Sequence, residues 1–472
     1  MNPSKKKEND RFSDSSSYLS KDSEEEFGIE LDRLNQLYQN ATSLDVYPGA
    51  EPMHYDFVAE RHILYPTRIW ESLAHLIKTC LGAGFLGIHE AYMYGGIWTS
   101  LVSSIFITII STYNMLSLAK SAHIQYNRLR TPKLSYPDLV EVTVKYGPVR
   151  CFRKWSKAFR YAVDTCLFIE LCSVCCVYHI MIASTLKQSL EVVSVYMADL
   201  ALNIRIYILL VLLPILLISF IRSLKYLAPF SLVADAFIVL CAFTAIYYSI
   251  KQAKNINDVP GWKGFYGFFR FSGVFMYSID GITIIMPIEN IMERPLSIPF
   301  VIHVGMTIVV ILTSFVGFFG YWGWREDCKT PITTNMPVET GTLILRFLII
   351  IMFTATYAVH FWVPFRIAWR YLGRKIKRKR ARCERLYRTA LVTIICLVCI
   401  GLPNMNILMS FVGNFFIAFL TFIFPAFIDS MVTWDRNNPY HHLKLIKNFS
   451  IMAFGAVLTI GSLYSYLEFY LA

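Results

Sequence analysis

Charged residues are scarce in this sequence. Asp, Glu, Lys and Arg make up only 17% of its 472 residues, against 55% hydrophobic. Soluble domains carry about a quarter of their residues as charges, so a chain this apolar lacks the polar surface needed to cover a globular core. A secretory leader is also missing. The first ~70 residues are polar and hold no apolar stretch of the about 7–15 residues that a cleavable signal needs. No P-loop, nucleophile triad, zinc signature or kinase-like set appears. No catalytic constellation supports an enzyme, so none is expected, and no cofactor is expected. Cysteine is present, but most of the 11 fall in apolar tracts (Cys166, Cys172, Cys175, Cys176, Cys241, Cys396, Cys399). There they read as small apolar packing residues, not a disulfide framework. Cys172-x-x-Cys175 has no nearby cluster of further ligands, so no metal is expected either.

What the chain does have is long uncharged apolar runs. Ile204–Phe220, Ser297–Gly320 and Leu343–Val359 each hold ~17 or more residues with almost no charge, enough to cross a hydrocarbon core of about 30 Å. The pattern predicts an all-α integral membrane protein with about eleven transmembrane helices. The spans are placed at Glu71–Tyr92, Gly96–Ala119, Phe159–Leu186, Ile204–Ile221, Phe230–Ile250, Phe271–Met292, Ile298–Tyr321, Thr342–Val363, Tyr387–Ile400, Ile407–Val432 and Phe449–Tyr470. Residues 1–68 read as a disordered cytosolic tail, with Lys5–Lys7, a serine run at Ser13–Ser17 and Glu24–Glu26, and too little apolar content to fold. Residues 69–472 read as the transmembrane domain.

A net charge of +12 raises the question of nucleic acid, and its placement answers it. Lys and Arg concentrate in two connections. One follows the second span (Lys120, Arg128, Arg130, Lys133, Lys145, Arg150, Arg153, Lys154, Lys157) and the other the eighth (Arg366, Arg370, Arg374, Lys375, Lys377–Arg380, Arg382, Arg385, Arg388). Both lie on the side of the N-terminal tail if every span crosses once. The positive-inside rule then puts the N-terminus in the cytoplasm and the C-terminus outside or in a lumen. The expected surroundings are a lipid bilayer, with no nucleic acid. The run Lys375–Arg382 reads as a solvated topological signal or as a contact for anionic head groups.

Two spans carry signals for a break. The first contains Gly82-Ala83-Gly84-Phe85-Leu86-Gly87, and three glycines in six positions each weaken a helix by about 1 kcal/mol relative to alanine. The sixth contains Tyr277-Ser278-Ile279-Asp280-Gly281 followed by Pro287. An aspartate in mid-span is costly and marks a functional site by default, while Pro287 removes a further backbone donor. Carriers that alternate access build substrate sites from such interrupted helices, with the exposed main chain binding charged groups. The expected substrate contacts are Gly82, Ala83, Gly84, Phe85 and Gly87 from the first span and Phe275, Tyr277, Ser278 and Asp280 from the sixth. Carboxylate would meet the first-span N–H groups, ammonium the sixth-span carbonyls. Asp280 either accepts the ammonium or carries a proton. His75, about two turns before the glycines, suits proton handling because imidazole titrates near pH 6.5. Close packing through small residues explains the glycines equally well. Asp164, Glu170 and His360 are further intramembrane candidates.

These residues carry a resemblance. Leu73-Ala74-His75-Leu76-Ile77-Lys78 running into the glycine segment resembles the first span of proton-coupled amino acid transporters, within the amino acid/auxin permease superfamily. The likeness continues through Tyr161–Asp164, Cys175–Tyr178, Met286–Asn290, Ile332–Pro337, Thr356–Pro364 and Leu402–Asn404, from about Trp70 to the C-terminus. It implies a leucine-transporter-like fold of two five-helix inverted repeats with broken first and sixth helices. It further implies import of small neutral amino acids driven by a proton gradient, with His75 in proton coupling. The chain departs from the family pattern at Thr79-Cys80 (usually Gly-Asn), Ala83 (Thr), His89 (Pro) and His360 (Gln). These departures leave a second function open, an amino acid sensor whose cytosolic tail signals to a protein partner. Compartment is open between plasma membrane and endolysosomal membrane. Tyr55-Asp56-Phe57-Val58 has the shape of a tyrosine sorting signal. The sequons at Asn40 and Asn448 fall on the cytoplasmic side, out of reach of glycosylation.

Overall fold

The computed structural model describes residues 55–61, 63, 65–194, 203–221, 228–337, 339–373, 380–434 and 441–471. Most of the expected disordered tail, with Asn40, and residues 374–379 of the second basic connection lie outside them. The described chain forms two compact units, one of residues 55–61 with Ala122–Leu134, the other of the remaining described residues. In the first, the Phe57 ring lies 5.3 Å from both His123 and Tyr126. Arg61 stacks its guanidinium over Phe57 and Tyr126 and donates to the Pro132 carbonyl at 2.5 Å.

Helix dominates the described chain, and each predicted span falls on it. The first is split into α1 (Ile69–Cys80), a 3-10 turn (Ala83–Gly87) and α2 (Ile88–Gly95). Next come α3 (Ile97–Leu129), α4 (Tyr136–Tyr146), the single turn α5 (Arg150–Arg153), α6 (Ser156–Ser194), α7 (Ile204–Ser219) and α8 (Ala228–Gln252). The sixth span is again split, into α9 (Gly264–Ser278) and α10 (Ile282–Ile291). After it come α11 (Ile298–Trp324), α12 (Thr340–Leu372) and α13 (Arg380–Gly401). The tenth span runs through α14 (Met405–Val412), two π-helical stretches (Gly413–Ile417 and Phe419–Ile423) and α15 (Phe424–Val432), before α16 (His441–Leu471). α3 continues past its predicted end at Ala119 to Leu129; hydropathy locates where the apolar run stops, and helix propensity carries the backbone further.

Seven described helical stretches are long and apolar enough to cross a membrane, and Ile204–Ser219 and Ala236–Gln252 are shorter apolar helices. The first span is outside the seven because its break leaves only short helices. α13 opens with Arg380, Arg382, Glu384, Arg385 and Arg388, which dilute its apolar run. α3 shows the inverted amphipathy of a helix whose solvent is lipid. Val102 and Ile109 are 67% and 62% exposed, whereas Ser100, Ser104, Thr108 and Ser111 on the opposite face are buried. Helices α6, α7, α12 and α13 pack against one another, while α11 packs on α1 and α2, and α9 on α2 and α14. Among the described residues, β pairing is limited to one parallel bridge, Thr67 with Met292. There the Thr67 N–H donates to Ile291 O and the Glu293 N–H to Thr67 O, both at 2.9 Å, tying the start of the first span to the end of the sixth.

Candidate functional site

Both predicted breaks are present. α1 closes with the Leu81 N–H on Ile77 O at 2.9 Å. Gly82 is then extended (φ −82°, ψ −153°), and the chain regains helix through the turn Ala83–Gly87. In the sixth span α9 ends with the Ile279 N–H on Phe275 O at 3.1 Å, leaving Ile279, Asp280 and Gly281 between helices. α2 and α10 both start after a glycine, Gly87 and Gly281. Neither brings a side chain to cap the first N–H groups, which are left for other acceptors. At α10 the carboxylate of Asp280 serves. Its Oδ2 accepts from Thr283 Oγ1 at 3.2 Å, and the Ile282 N–H faces it.

The two breaks touch. A methyl on Gly84 would lie 2.9 Å from both Ser278 Oγ and Tyr277 Cδ1, and 3.1 Å from Ser278 Cα. Only hydrogen lets these backbones approach. The Cys80 thiol, at the end of α1, donates to the carbonyls of Ile279 (3.7 Å) and Asp280 (3.6 Å). A methyl on Gly82 would stand 3.3 Å from the Tyr178 hydroxyl, and the Tyr178 ring lies 5.0 Å from His360. His360 Nδ1 is 3.0 Å from the Thr356 carbonyl of its own helix.

On the other side of the sixth-span break, a narrow crevice is lined by Ser111, Met115, Met276, Ile279, Asp280, Ile417 and Thr421, and is closed to a water-sized sphere. Asp280 Oδ1 and Thr421 Oγ1 are both buried without a hydrogen-bond partner. Glu170, on α6, is 3% exposed, its Oε2 has no partner, and the field of Asp280 reaches it. The Tyr277 hydroxyl is likewise buried without a partner. Carboxyl and phenol groups gathered in this way can bind cations or protons.

The structure thus brings together Gly82, Gly84, Tyr277, Ser278 and Asp280. Phe85 and Phe275 are buried beside them, Phe275 stacked on Phe271 at 5.6 Å. Ser278 donates to Val274 O within its own helix at 2.8 Å, which occupies its hydroxyl. Gly87 faces away, toward Met409, Thr330 and Asn406. The side chain of Ala83 lies outside the described residues. His75 is on an exposed face of α1, while Leu76 and Cys80 face Gly281. Sequence reasoning missed Thr421, Ser111 and Ile417. A lone threonine in a Phe- and Leu-rich span is too common a pattern to single out.

Other candidates take different places. Asp164 belongs to a paired cluster. Arg160 forms an ion pair with Asp138 Oδ1 and donates to Glu141 Oε2, both at 2.9 Å, and lies 3.9 Å from Asp164 Oδ2, which accepts from the Tyr371 hydroxyl at 2.5 Å. His89 Nε2 is 3.0 Å from Lys329 O. The neighbouring Glu90 accepts from the Thr330 N–H at 2.9 Å, and Asn406 Nδ2 donates to Thr330 Oγ1 at 2.8 Å. Segment 325–337 thereby covers one end of the first-span break. Within it Cys328 is buried with its thiol toward Gly320 O (3.8 Å), and burial pushes that thiol up from the usual range.

Comparisons with known proteins agree with this arrangement. Residues 66–468 match the family described as transmembrane amino acid transporter protein. The chain is 29% identical over 400 residues to the proton-coupled amino acid transporter-like protein pathetic of Drosophila melanogaster, covering 84% of this chain and 83% of that one. It is 25% identical over 425 residues to the probable amino acid transporter skat-1 of Caenorhabditis elegans, covering 85% and 89%. Among solved structures, the inward-facing conformation of Mhp1 superposes with a TM-score of 0.53 at 12% identity, over 90% of this chain and 94% of that one. A closed conformation of Mhp1, a nucleobase-cation-symport-1 family transporter, superposes equally well at 11% identity. These likenesses show the all-helical, leucine-transporter-like inverted-repeat fold.

Proposed function

Since this chain belongs to the transmembrane amino acid transporter family, a family of multi-pass membrane carriers and not of enzymes, we propose that it is a proton-coupled symporter of small neutral amino acids. The observation that carries this reading is the contact between two interrupted helices at Gly84, Tyr277 and Ser278. Substrate carboxylate binds the first-span N–H groups over Gly82–Gly87, and ammonium binds the carbonyls that end α9. Phe85, Phe275 and Tyr277 limit the size of the substrate side chain.

Asp280 carries the coupled proton in this reading, since its free oxygen opens on a crevice that includes no first-span residue. His75, on the exposed face of α1, is a transfer group to water. The chain makes eleven crossings with its N-terminus in the cytoplasm, supported by the basic connections after the second and eighth spans. The contact between the breaks and the cover over Gly87 describe a closed state, so substrate enters when the helices part. For one proton, 100 mV plus one pH unit supplies roughly 3.7 kcal/mol, enough for several-hundred-fold accumulation. The test is uptake of labelled amino acids by proteoliposomes with and without an imposed pH gradient. Gradient-dependent accumulation of small neutral substrates is expected. Saturable binding without accumulation, in folded protein, would establish a sensor in its place.

A further inference from the structure

Many helical threonines in this protein return their hydroxyl to their own backbone. Thr354, Thr356, Thr389 and Thr393 all donate to the carbonyl four residues earlier, at 2.7–3.0 Å, the usual resolution for a hydroxyl in an apolar helix. Thr421 does not. Its Oγ1 is buried and unpartnered, and it sits in the second of two π-helical stretches, a distortion concentrated at functional sites. Gly413, in the first stretch, has its Cα hydrogen against the Gly273 backbone, so α9 presses directly on the tenth span. Asp280, whose Oδ1 is likewise unpartnered, lines the same crevice as Thr421.

We propose that this crevice is the proton-loading site of the carrier, with Thr421 the positioning residue that accepts a hydrogen bond from the protonated carboxyl group of Asp280. The inference rests on the symporter reading above. Loading takes a proton from a hydronium ion admitted while the crevice is wide, leaving water that departs, and the new Oδ1–H donates to Thr421 Oγ1 as the walls close. Unloading passes that proton to a water admitted when the crevice widens, and leaves the carboxylate held by Thr283. The groups that face Asp280 from the surrounding elements are Cys80 of α1, Tyr136 of α4 and Glu170 of α6. The Cys80 thiol is committed to the Ile279 and Asp280 carbonyls. The Tyr136 hydroxyl is committed to Leu420 O at 2.7 Å. Glu170 is the remaining carboxyl group. A bare proton suits a gap too narrow for water, whereas a hydrated cation does not.

Two measurements on the full-length protein in proteoliposomes test this. The first is the ratio of pH-driven accumulation to trans-stimulated exchange, because exchange needs no net proton release. Thr421→Val is expected to cut that ratio tenfold or more, and Thr421→Ser to restore it. The second is infrared difference spectroscopy on adding substrate at acid pH. A carboxylic-acid C=O band is expected, absent in Asp280→Asn and shifted in Thr421→Val. An unchanged ratio and an unshifted band in Thr421→Val would overturn the proposal. So would accumulation that follows a sodium gradient instead. Absence of any accumulation by the unaltered protein would sink the symporter reading itself, and the infrared band would then decide whether Asp280 still takes up a proton.

Discussion

Asp164 and Asp280 are the same residue type in the same kind of setting, an aspartate among apolar helices, and the fold treats them oppositely. Asp164 sits in a cluster where Arg160 answers Asp138 and Glu141 at 2.9 Å and Tyr371 bonds the carboxylate itself. Asp280 sits between two helix ends with one oxygen held by Thr283 and the other unanswered. A buried charge with its partners in place is a structural joint; here it links α4, α6 and α12. A buried carboxyl group with a free oxygen is held for something that arrives. Pairing separates the two.

Substitutions can break that contrast. Asp280→Asn is expected to have the largest effect on transport, reducing pH-driven accumulation in proteoliposomes to the level without a gradient. Its thermal stability in detergent should stay within about 1 kcal/mol of the parent. Undiminished uptake would remove Asp280 from the site. Arg160→Met should do the reverse. It removes the cation from between Asp138, Glu141 and Asp164, and a loss on the order of 3 kcal/mol should appear as a lowered unfolding temperature. Stability equal to the parent would show that the cluster is not a joint.

Gly84→Ala asks whether contact between the breaks matters. Its methyl would meet Tyr277 and Ser278 at 2.9 Å, and an overpacking cost of about 1–3 kcal/mol predicts a roughly tenfold loss of uptake. His75→Asn should slow uptake only a few-fold and preserve accumulation, whereas complete loss would transfer the proton-coupling role to His75. Tyr371→Phe removes one hydrogen bond from Asp164, so a loss of about 1 kcal/mol in unfolding measurements, with uptake intact, is the smallest effect expected.

Much of the site was legible beforehand because the interruptions are local. Gly82, Gly84, Gly87 and Gly281 disfavour helix wherever they are placed, and a charge in lipid is costly in any fold, so the breaks and Asp280 could be read from the chain. Arg160, one turn before Asp164 on the same helix α6, could have set Asp164 apart from Glu170, but that Tyr371 of α12 reaches Asp164 and that Glu170 keeps an unpartnered oxygen is decided only by the packing. Thr421 was invisible for a similar reason. Its hydroxyl has no hydrogen-bond partner in a π-helical stretch, and neither feature is written in the local sequence.

By itself, the sequence determined which segments are apolar enough to enter a membrane, which of them are interrupted and how the basic connections are distributed. Hydropathy, helix propensity and charge are properties of short stretches, and they need no knowledge of partners. The tertiary structure alone decided that the two interruptions meet, that one aspartate is paired while another is not, and that a threonine of the tenth span faces the sixth. Those outcomes depend on distances between residues far apart in the chain, set only when the helices pack.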